Sequence, residues 1–249
     1  MILKKIRLDQ ILFNRQLAES KSKAQAMIMA GQISVDGKKI LKSGEIFDEK
    51  VKIIANDLNP KWVSRGALKL LHAFDFFKIE VKDFTCLDIG ASTGGFTQVL
   101  LSKKVKKIYS VDVGKNQLHE KLIQDPKIIN LSKKNARYLN KVMIKEPIDI
   151  IVCDVSFISM KKVILPNLTL LSKKNPIILG LIKPQFECNK SELKRGGVIL
   201  DTKIHKRICK DFTNWFESVC KMNVKGILES PIKGPKGNTE FLIYALKKS

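Results

Sequence analysis

Histidine and cysteine are scarce and scattered in this sequence. The three histidines cluster nowhere, and the five cysteines (Cys86, Cys153, Cys188, Cys209 and Cys220) form no CxxC pair and are odd in number. No zinc site is indicated, so no metal is expected. Several of these cysteines sit within apolar runs as small core residues, a usage that fits a reducing cytoplasm. No apolar run is long enough to span a bilayer. Met1-Ile2-Leu3-Lys4-Lys5 meets charge too soon for a secretory signal, so we expect a cytoplasmic protein without a membrane partner. Acidic residues are outnumbered: 24 Asp+Glu against 46 Lys+Arg leave a net charge of +22. That imbalance is the footprint of a nucleic-acid binder, although a lysine-rich compositional bias accounts for part of it. Internal repeats and low-complexity segments are also missing.

What remains is enough to fold. At 44% hydrophobic over 249 residues, the chain can bury a full core in a moderate α/β domain with a small appendage. The appendage comes first. Leu8, Ile11, Leu12 and Leu17 recur at helical spacing, and Ser20 or Ser22 is placed to cap a second helix carrying Ala24, Met27 and Ile28. Gly31 stops that helix. Ile33-Ser34-Val35 then leads into an Asp36-Gly37 turn, a hairpin signal, and Val51–Ile54 reads as another strand. Residues 1–59 form this module and 60–66 a linker, which leaves 67–249 for the larger domain. In the linker, Ser64 is placed to cap the larger domain's first helix, through Ala67, Leu68, Leu70, Leu71 and Phe74.

From Phe84 onward, strand-like runs alternate with helical ones. The strands are expected at 85–89, 107–111, 128–131, 148–153, 177–182, 224–228 and 240–246, and helices at 96–102, 161–171 and 203–219. The alternation predicts a doubly wound, mostly parallel sheet with helices on both faces.

The first strand runs into Asp88-Ile89-Gly90-Ala91-Ser92-Thr93-Gly94-Gly95-Phe96. A glycine-rich turn here lets backbone approach a ligand closely. It lacks the lysine of a phosphate loop, and its glycines miss the dinucleotide spacing. Asp88 before the first glycine suits a cofactor with a cationic amino-acid part and no phosphates, which is S-adenosylmethionine. Asp112, ending the second strand, can accept hydrogen bonds from a ribose diol. Asn135 after the third strand is placed to face the adenine. Asp154 and Lys183 end the fourth and fifth strands, at the edge where open α/β sheets place their active sites. A lysine closing a wholly apolar strand is rarely buried without a role or partner; an ion pair holding two loops together is the simpler alternative.

Two resemblances follow. Arg7-Leu8-Asp9, Leu17-Ala18-Glu19-Ser20-Lys21, Ala24, Gly31, Ile33, Val35, Asp36 and Gly37 resemble an S4 RNA-binding domain, with Lys4, Lys5, Arg7, Arg15, Lys21 and Lys23 as candidate contacts. Asp88–Phe96, Asp154-Val155-Ser156-Phe157-Ile158-Ser159, Lys183-Pro184-Gln185-Phe186-Glu187 and Gly234-Pro235-Lys236-Gly237-Asn238-Thr239-Glu240 resemble the TlyA family. Its members join an S4 domain to an FtsJ-type (RrmJ-like) class I methyltransferase domain, whose sheet carries one antiparallel strand in an edge hairpin. The resemblance implies 2′-O-methylation of cytidines in ribosomal RNA from S-adenosylmethionine, by a monomer acting on ribosomal subunits. It places a Lys-Asp-Lys-Glu tetrad at Lys69, Asp154, Lys183 and Glu240, with Asp154 also beside the cofactor. Lys183 then serves as base for the ribose hydroxyl, or holds it with a lone pair facing the methyl group. Arg65, Lys194 and Arg195 add basic contacts around the cleft. Some members of the family carry a haemolysin label, but the sequence offers no spanning or long amphipathic segment for a lytic protein. An RNA-binding protein with an idle cofactor site is the other alternative.

Overall fold

The computed structural model describes residues 5–18, 20–29, 31–55, 62–172, 174–193, 196–234 and 236–247. The chain divides into two compact units, residues 1–61 and 62–249. Three expected RNA contacts, Lys4, Lys194 and Arg195, lie outside the described residues, as does the linker segment 56–61.

The first unit runs β1 (Lys5–Arg7), α1 (Leu8–Asn14), α2 (Lys21–Met29), β2 (Ile33–Val35), β3 (Lys38–Lys39), β4 (Ile46–Asp48) and β5 (Ile53–Ala55). β1 pairs with β4, and β3-β2-β5 form a second antiparallel sheet. Leu8, Leu12, Ala24, Ile28 and Ile33, all fully buried, join the two helices to that sheet. Ser20, rather than Ser22, caps α2, its hydroxyl accepting the Lys23 N–H at 3.1 Å. Asp36 and Gly37 both have positive φ (48° and 79°), the pair of left-handed residues that a tight hairpin turn needs. Two of the basic residues expected to meet RNA are engaged locally. Arg7 grips the buried Asp9 through Nε (3.0 Å) and Nη2 (2.6 Å), which holds that carboxyl down at about 2. Arg15 donates to the carbonyls of Val51 (2.9 Å) and Glu49. Lys5, Lys21 and Lys23 are exposed.

In the second unit, Trp62 and Val63 pack against the core. α3 (Gly66–Phe77) begins one residue later than a Ser64 cap implies: Arg65 holds the capping position, and the Ser64 hydroxyl accepts the Gly66 N–H at 3.0 Å. The remaining elements are β6 (Thr85–Ile89), α4 (Gly95–Ser102), β7 (Lys107–Asp112), α5 (Glu120–Ile123), β8 (Ile128–Ser132), β9 (Ile150–Cys153), α6 (Lys161–Ile164), β10 (Ile177–Ile182), α7 (Pro184–Glu187), α8 (Thr202–Ser218), β11 (Met222–Glu229) and β12 (Phe241–Lys247).

The seven strands lie in the order β11-β12-β10-β9-β6-β7-β8, parallel from β10 to β8. β12 runs antiparallel to both neighbours, so the antiparallel strand sits one place inside the edge and forms the edge hairpin with β11. Strands covered on both faces read as unbroken apolar runs, and every residue of β9 and β10 is buried. Alternation along β6 sends Leu87 and Ile89 into a layer with Val163, Ile208 and Phe212, and Cys86 into the opposite layer with Leu70, Phe74 and Val99.

The helix expected over 161–171 is shorter than the apolar pattern. It stops at Ile164 and continues as a 3₁₀ turn, Leu165–Leu170. Pro166 has no N–H to extend the α ladder, and the Asn167 side chain takes the Val163 carbonyl at 2.6 Å. Among the described residues, no helix is long and apolar enough to cross a membrane.

Candidate active site

Two cavities open at the carboxyl edge of the parallel strands and share Gly90, Ser92, Asp154, Ser156 and Phe157. The larger, about 690 Å³, is lined by Ser64–Gly66, Lys69, the glycine-rich turn, Lys183, Gln185, Phe186, Leu193, Gly197, Lys233, Gly234, Lys236, Asn238 and Glu240. The smaller, about 440 Å³, is walled by Ile89, Val111, Val113, Ala136, Val155, Ile158 and Val163, with Asp112, Gln117, Lys134 and Asn135 among its polar groups.

The turn between β6 and α4 is shaped by close approach. Gly90 has φ +84°, and a Cβ there would lie 2.7 Å from the Asp154 carbonyl oxygen. Asp112 braces the turn from β7, its Oδ2 accepting the Ser92 N–H (2.8 Å) and its Oδ1 the Gly114 N–H (2.7 Å). Asn135 uses its Oδ1 to cap Arg137 N–H at 3.0 Å while lining the smaller cavity.

Asp88, expected to meet the cofactor, lines neither cavity. It is wholly buried beneath the turn, where Oδ2 accepts from Thr97 Oγ1 at 2.6 Å and Thr97 in turn meets Ser110 Oγ at 2.8 Å. Oδ1 has no hydrogen-bond partner among the described residues. Burial pushes this carboxyl up to about 7. Thr93 and Gly94 are also off the cavity walls: the Thr93 carbonyl accepts the His119 N–H at 3.2 Å, and Gly94 faces Leu118 and Leu122. Gly90, Ala91, Ser92, Gly95 and Phe96 remain on the walls.

In the larger cavity four ionisable side chains form one chain of contacts. Glu240 Oε2 lies 2.6 Å from Lys69 Nζ, Lys69 Nζ 3.7 Å from Asp154 Oδ2, and Asp154 Oδ1 2.5 Å from Lys183 Nζ. Lys183 also donates to Ser156 Oγ at 2.9 Å. Lys69, Lys183 and Glu240 are 7%, 8% and 1% exposed, so this cluster is buried rather than a solvated surface pair. Strand register assembles it. Gly180 pairs with Cys153 and Ile182 with Phe241, which brings Asp154, Lys183 and Glu240 to one end of three adjacent strands. Lys69 reaches them from the inward face of α3.

Several wall residues carried no sequence-level assignment. Ser156 and Asn238 lay within quoted motifs without a role, and Lys233 and Lys236 are basic groups at the cleft that lack helical or strand periodicity. Phe157 is 90% exposed with φ +65°, a conformation that composition does not foretell. Arg65 is exposed and lines the larger cavity. Among the described residues no group of three or more His, Cys, Asp or Glu side chains stands close enough to hold a metal ion.

Residues 62–247 match the FtsJ-like methyltransferase family and residues 6–53 the S4 domain. The chain is 37% identical to the 16S/23S rRNA (cytidine-2′-O)-methyltransferase TlyA of Mycobacterium tuberculosis, over 97% of this chain and 90% of that protein. It is 40% identical to hemolysin A of Brachyspira hyodysenteriae, over 96% of this chain and 99% of the other. A solved structure from Streptococcus thermophilus, described as a candidate hemolysin, superposes with a TM-score of 0.77 at 33% identity, covering 100% of this chain and 90% of that one. The chain therefore belongs to the FtsJ-like methyltransferase family, whose methyl donor is S-adenosylmethionine, and to the TlyA branch of it that carries an N-terminal S4 domain.

Proposed function

We propose that this protein methylates the ribose 2′-hydroxyl of a cytidine in ribosomal RNA. The observation that carries the reading is the buried Glu240–Lys69–Asp154–Lys183 chain on the wall of the larger cavity, which meets the smaller one at Asp154. The smaller cavity fits a nucleoside: apolar walls suit a purine, Asp112 a ribose diol and Asn135 a ring edge. Gly90 leaves backbone space that a Cβ would fill. Asp154, shared by both cavities, presents an anion where a cationic amino-acid moiety would lie. S-adenosylmethionine, when bound, supplies an electrophilic methyl group.

The chain's own residues do the rest. Lys183 Nζ, at the wall of the larger cavity, orients the incoming hydroxyl and, reacting as the uncharged amine, receives its proton. Asp154 and Ser156 fix that Nζ in place, and the Lys69–Glu240 pair fixes Asp154. Much of the acceleration then comes from alignment of two bound substrates. Arg65, Lys233 and Lys236 at the cleft, and Lys5, Lys21 and Lys23 on the S4 unit, supply cations for RNA phosphates. Action on ribosomal subunits fits this reading, supported by the names of the relatives and the net charge of +22; the form we propose is a monomer in the cytoplasm.

Radiolabelled methyl transfer to ribosomal subunits, followed by mapping of 2′-O-methyl positions, tests it. Lys183→Ala should lose transfer by about 10²- to 10⁴-fold, the usual contribution of a positioned acid or base, while S-adenosylmethionine still binds by calorimetry. Unchanged transfer in that variant refutes the assigned role.

A further inference from the structure

We propose that Asn238 is a positioning residue for the RNA substrate, holding the Gly197–Ile199 segment as one wall of the cleft; this rests on the methyltransferase reading above. Asn238 is polar yet only 2% exposed. Its side chain is consumed by the backbone of a segment 39–41 residues away in sequence: Oδ1 accepts the Ile199 N–H at 2.9 Å, and Nδ2 donates to the Gly197 carbonyl at 3.0 Å. That segment belongs to no helix or strand, so these bonds replace the ladder that would otherwise define it. A second tie comes from α8, where His205 Nε2 meets the Ile199 carbonyl at 3.2 Å, and Ile199 itself is buried.

The tethered segment faces the site. Gly197 lines the larger cavity, as do Asn238, Lys236 and Leu193. Asn238 also works in the other direction. Its carbonyl accepts the Gly234 N–H at 2.9 Å, and Gly234 stands so close to Glu240 that a Cβ would lie 2.5 Å from Oε1. Asn238 thus joins a cleft wall, through its side-chain amide, to the glutamate end of the ionic chain, through its backbone carbonyl. Truncating its side chain frees the wall but leaves the Gly234 contact, which is made by backbone. The expected loss is therefore in the grip on RNA, with cofactor binding and turnover retained.

The experiment is steady-state methyl transfer by the full chain on ribosomal subunits lacking the modification, with calorimetry for S-adenosylmethionine. Asn238→Ala should raise KM for the RNA about tenfold, as two lost hydrogen bonds imply, with kcat and cofactor affinity each within about twofold. His205→Phe keeps a ring against Phe241 and removes only the Ile199 tie, so KM should rise in the same direction by a smaller factor. A merely structural role lowers the melting temperature and the active fraction but leaves KM where it was. Folded Asn238→Ala with an unmoved KM, or with kcat and cofactor affinity falling alongside it, overturns the proposal. If Asn238→Ala does not fold, His205→Phe decides, and an unmoved KM there overturns it equally. A wild-type chain that methylates no RNA overturns the parent reading and this one with it, whereas an active wild type with unmoved variants overturns this one alone.

Discussion

Replacing Lys69 by methionine separates its structural and chemical roles. Among the described residues Lys69 is the cation paired with Glu240, at 2.6 Å, and the Glu240 side chain has no solvent exposure. Removing the ammonium strands a buried carboxylate, whose second oxygen already lacks a hydrogen-bond partner among the described residues. Breaking a buried pair from one side costs about 3–5 kcal/mol. In a unit of this size each kcal/mol moves the midpoint by about 2–4 °C, so Lys69→Met should melt about 10 °C below wild type. Lys69→Met/Glu240→Gln removes the stranded charge while keeping the shape that fits beside Gly234. It should recover at least half of that loss, because deleting both partners is far less costly than deleting one. Asp154 keeps Lys183 in both variants. Thermal and urea unfolding, run beside the methyl-transfer assay, gives the answer: two inactive proteins, of which the double variant is the more stable. Equal instability of single and double variants, or a wild-type midpoint for the single, would refute the reasoning that Lys69 compensates Glu240.

Two further predictions concern the glycine-rich turn. Asp88, pushed up to about 7 by burial from an ordinary 3.8, stays protonated in the folded chain where the unfolded chain has ionised. The folded state therefore holds the extra proton between about pH 4 and 7, and stability falls as pH rises through that window. Asp88→Asn should flatten this decline, so that melting temperature against pH diverges from wild type in the variant's favour above pH 5; parallel curves would contradict the assignment. Gly90→Ala places a Cβ 2.7 Å from the Asp154 carbonyl at φ +84°, a left-handed position costing about 1–2 kcal/mol before the clash is counted. Calorimetry should show cofactor affinity reduced at least tenfold, and a wild-type affinity would mean that the turn relaxes freely.

The sheet was legible because parallel strands buried on both faces must be apolar along their whole length, and 177–182 announces itself that way, as does 150–153, where the strand begins after Asp149 rather than at 148. The loops that carry charge at strand ends were legible for the same reason, which is why Asp154 and Lys183 stood out. Burial depth was not legible. Asp88 precedes the first glycine whether it points at a ligand or lies beneath the turn, and only the Thr97–Ser110 network shows the latter. Lys69 was grouped with Glu240 by the family resemblance alone, since nothing in α3 shows that Glu240, 171 residues on, waits opposite it. Asn238 is one polar residue between Gly237 and Thr239, and its two backbone partners lie about forty positions upstream. Pro166 was visible in the pattern over 161–171, and its missing N–H ends the α ladder there.

The antiparallel strand explains why a fourth ionisable group reaches this site at all. A parallel strand can offer the carboxyl edge only the residue that follows it, as β9 offers Asp154 and β10 offers Lys183. β12 runs the other way, so its beginning, not its end, lies at that edge, and Glu240 precedes it. Pairing of Ile182 with Phe241 then sets Glu240 level with Lys183. Two acids and two lysines thus meet although none of the four stands inside a strand, and every ladder position of β9 and β10 is buried. Moving Glu240 one residue along would turn its side chain to the other face of the sheet and away from Lys69. The reversal of one strand and its register, more than any single motif, is what completes the buried chain beside the cofactor turn.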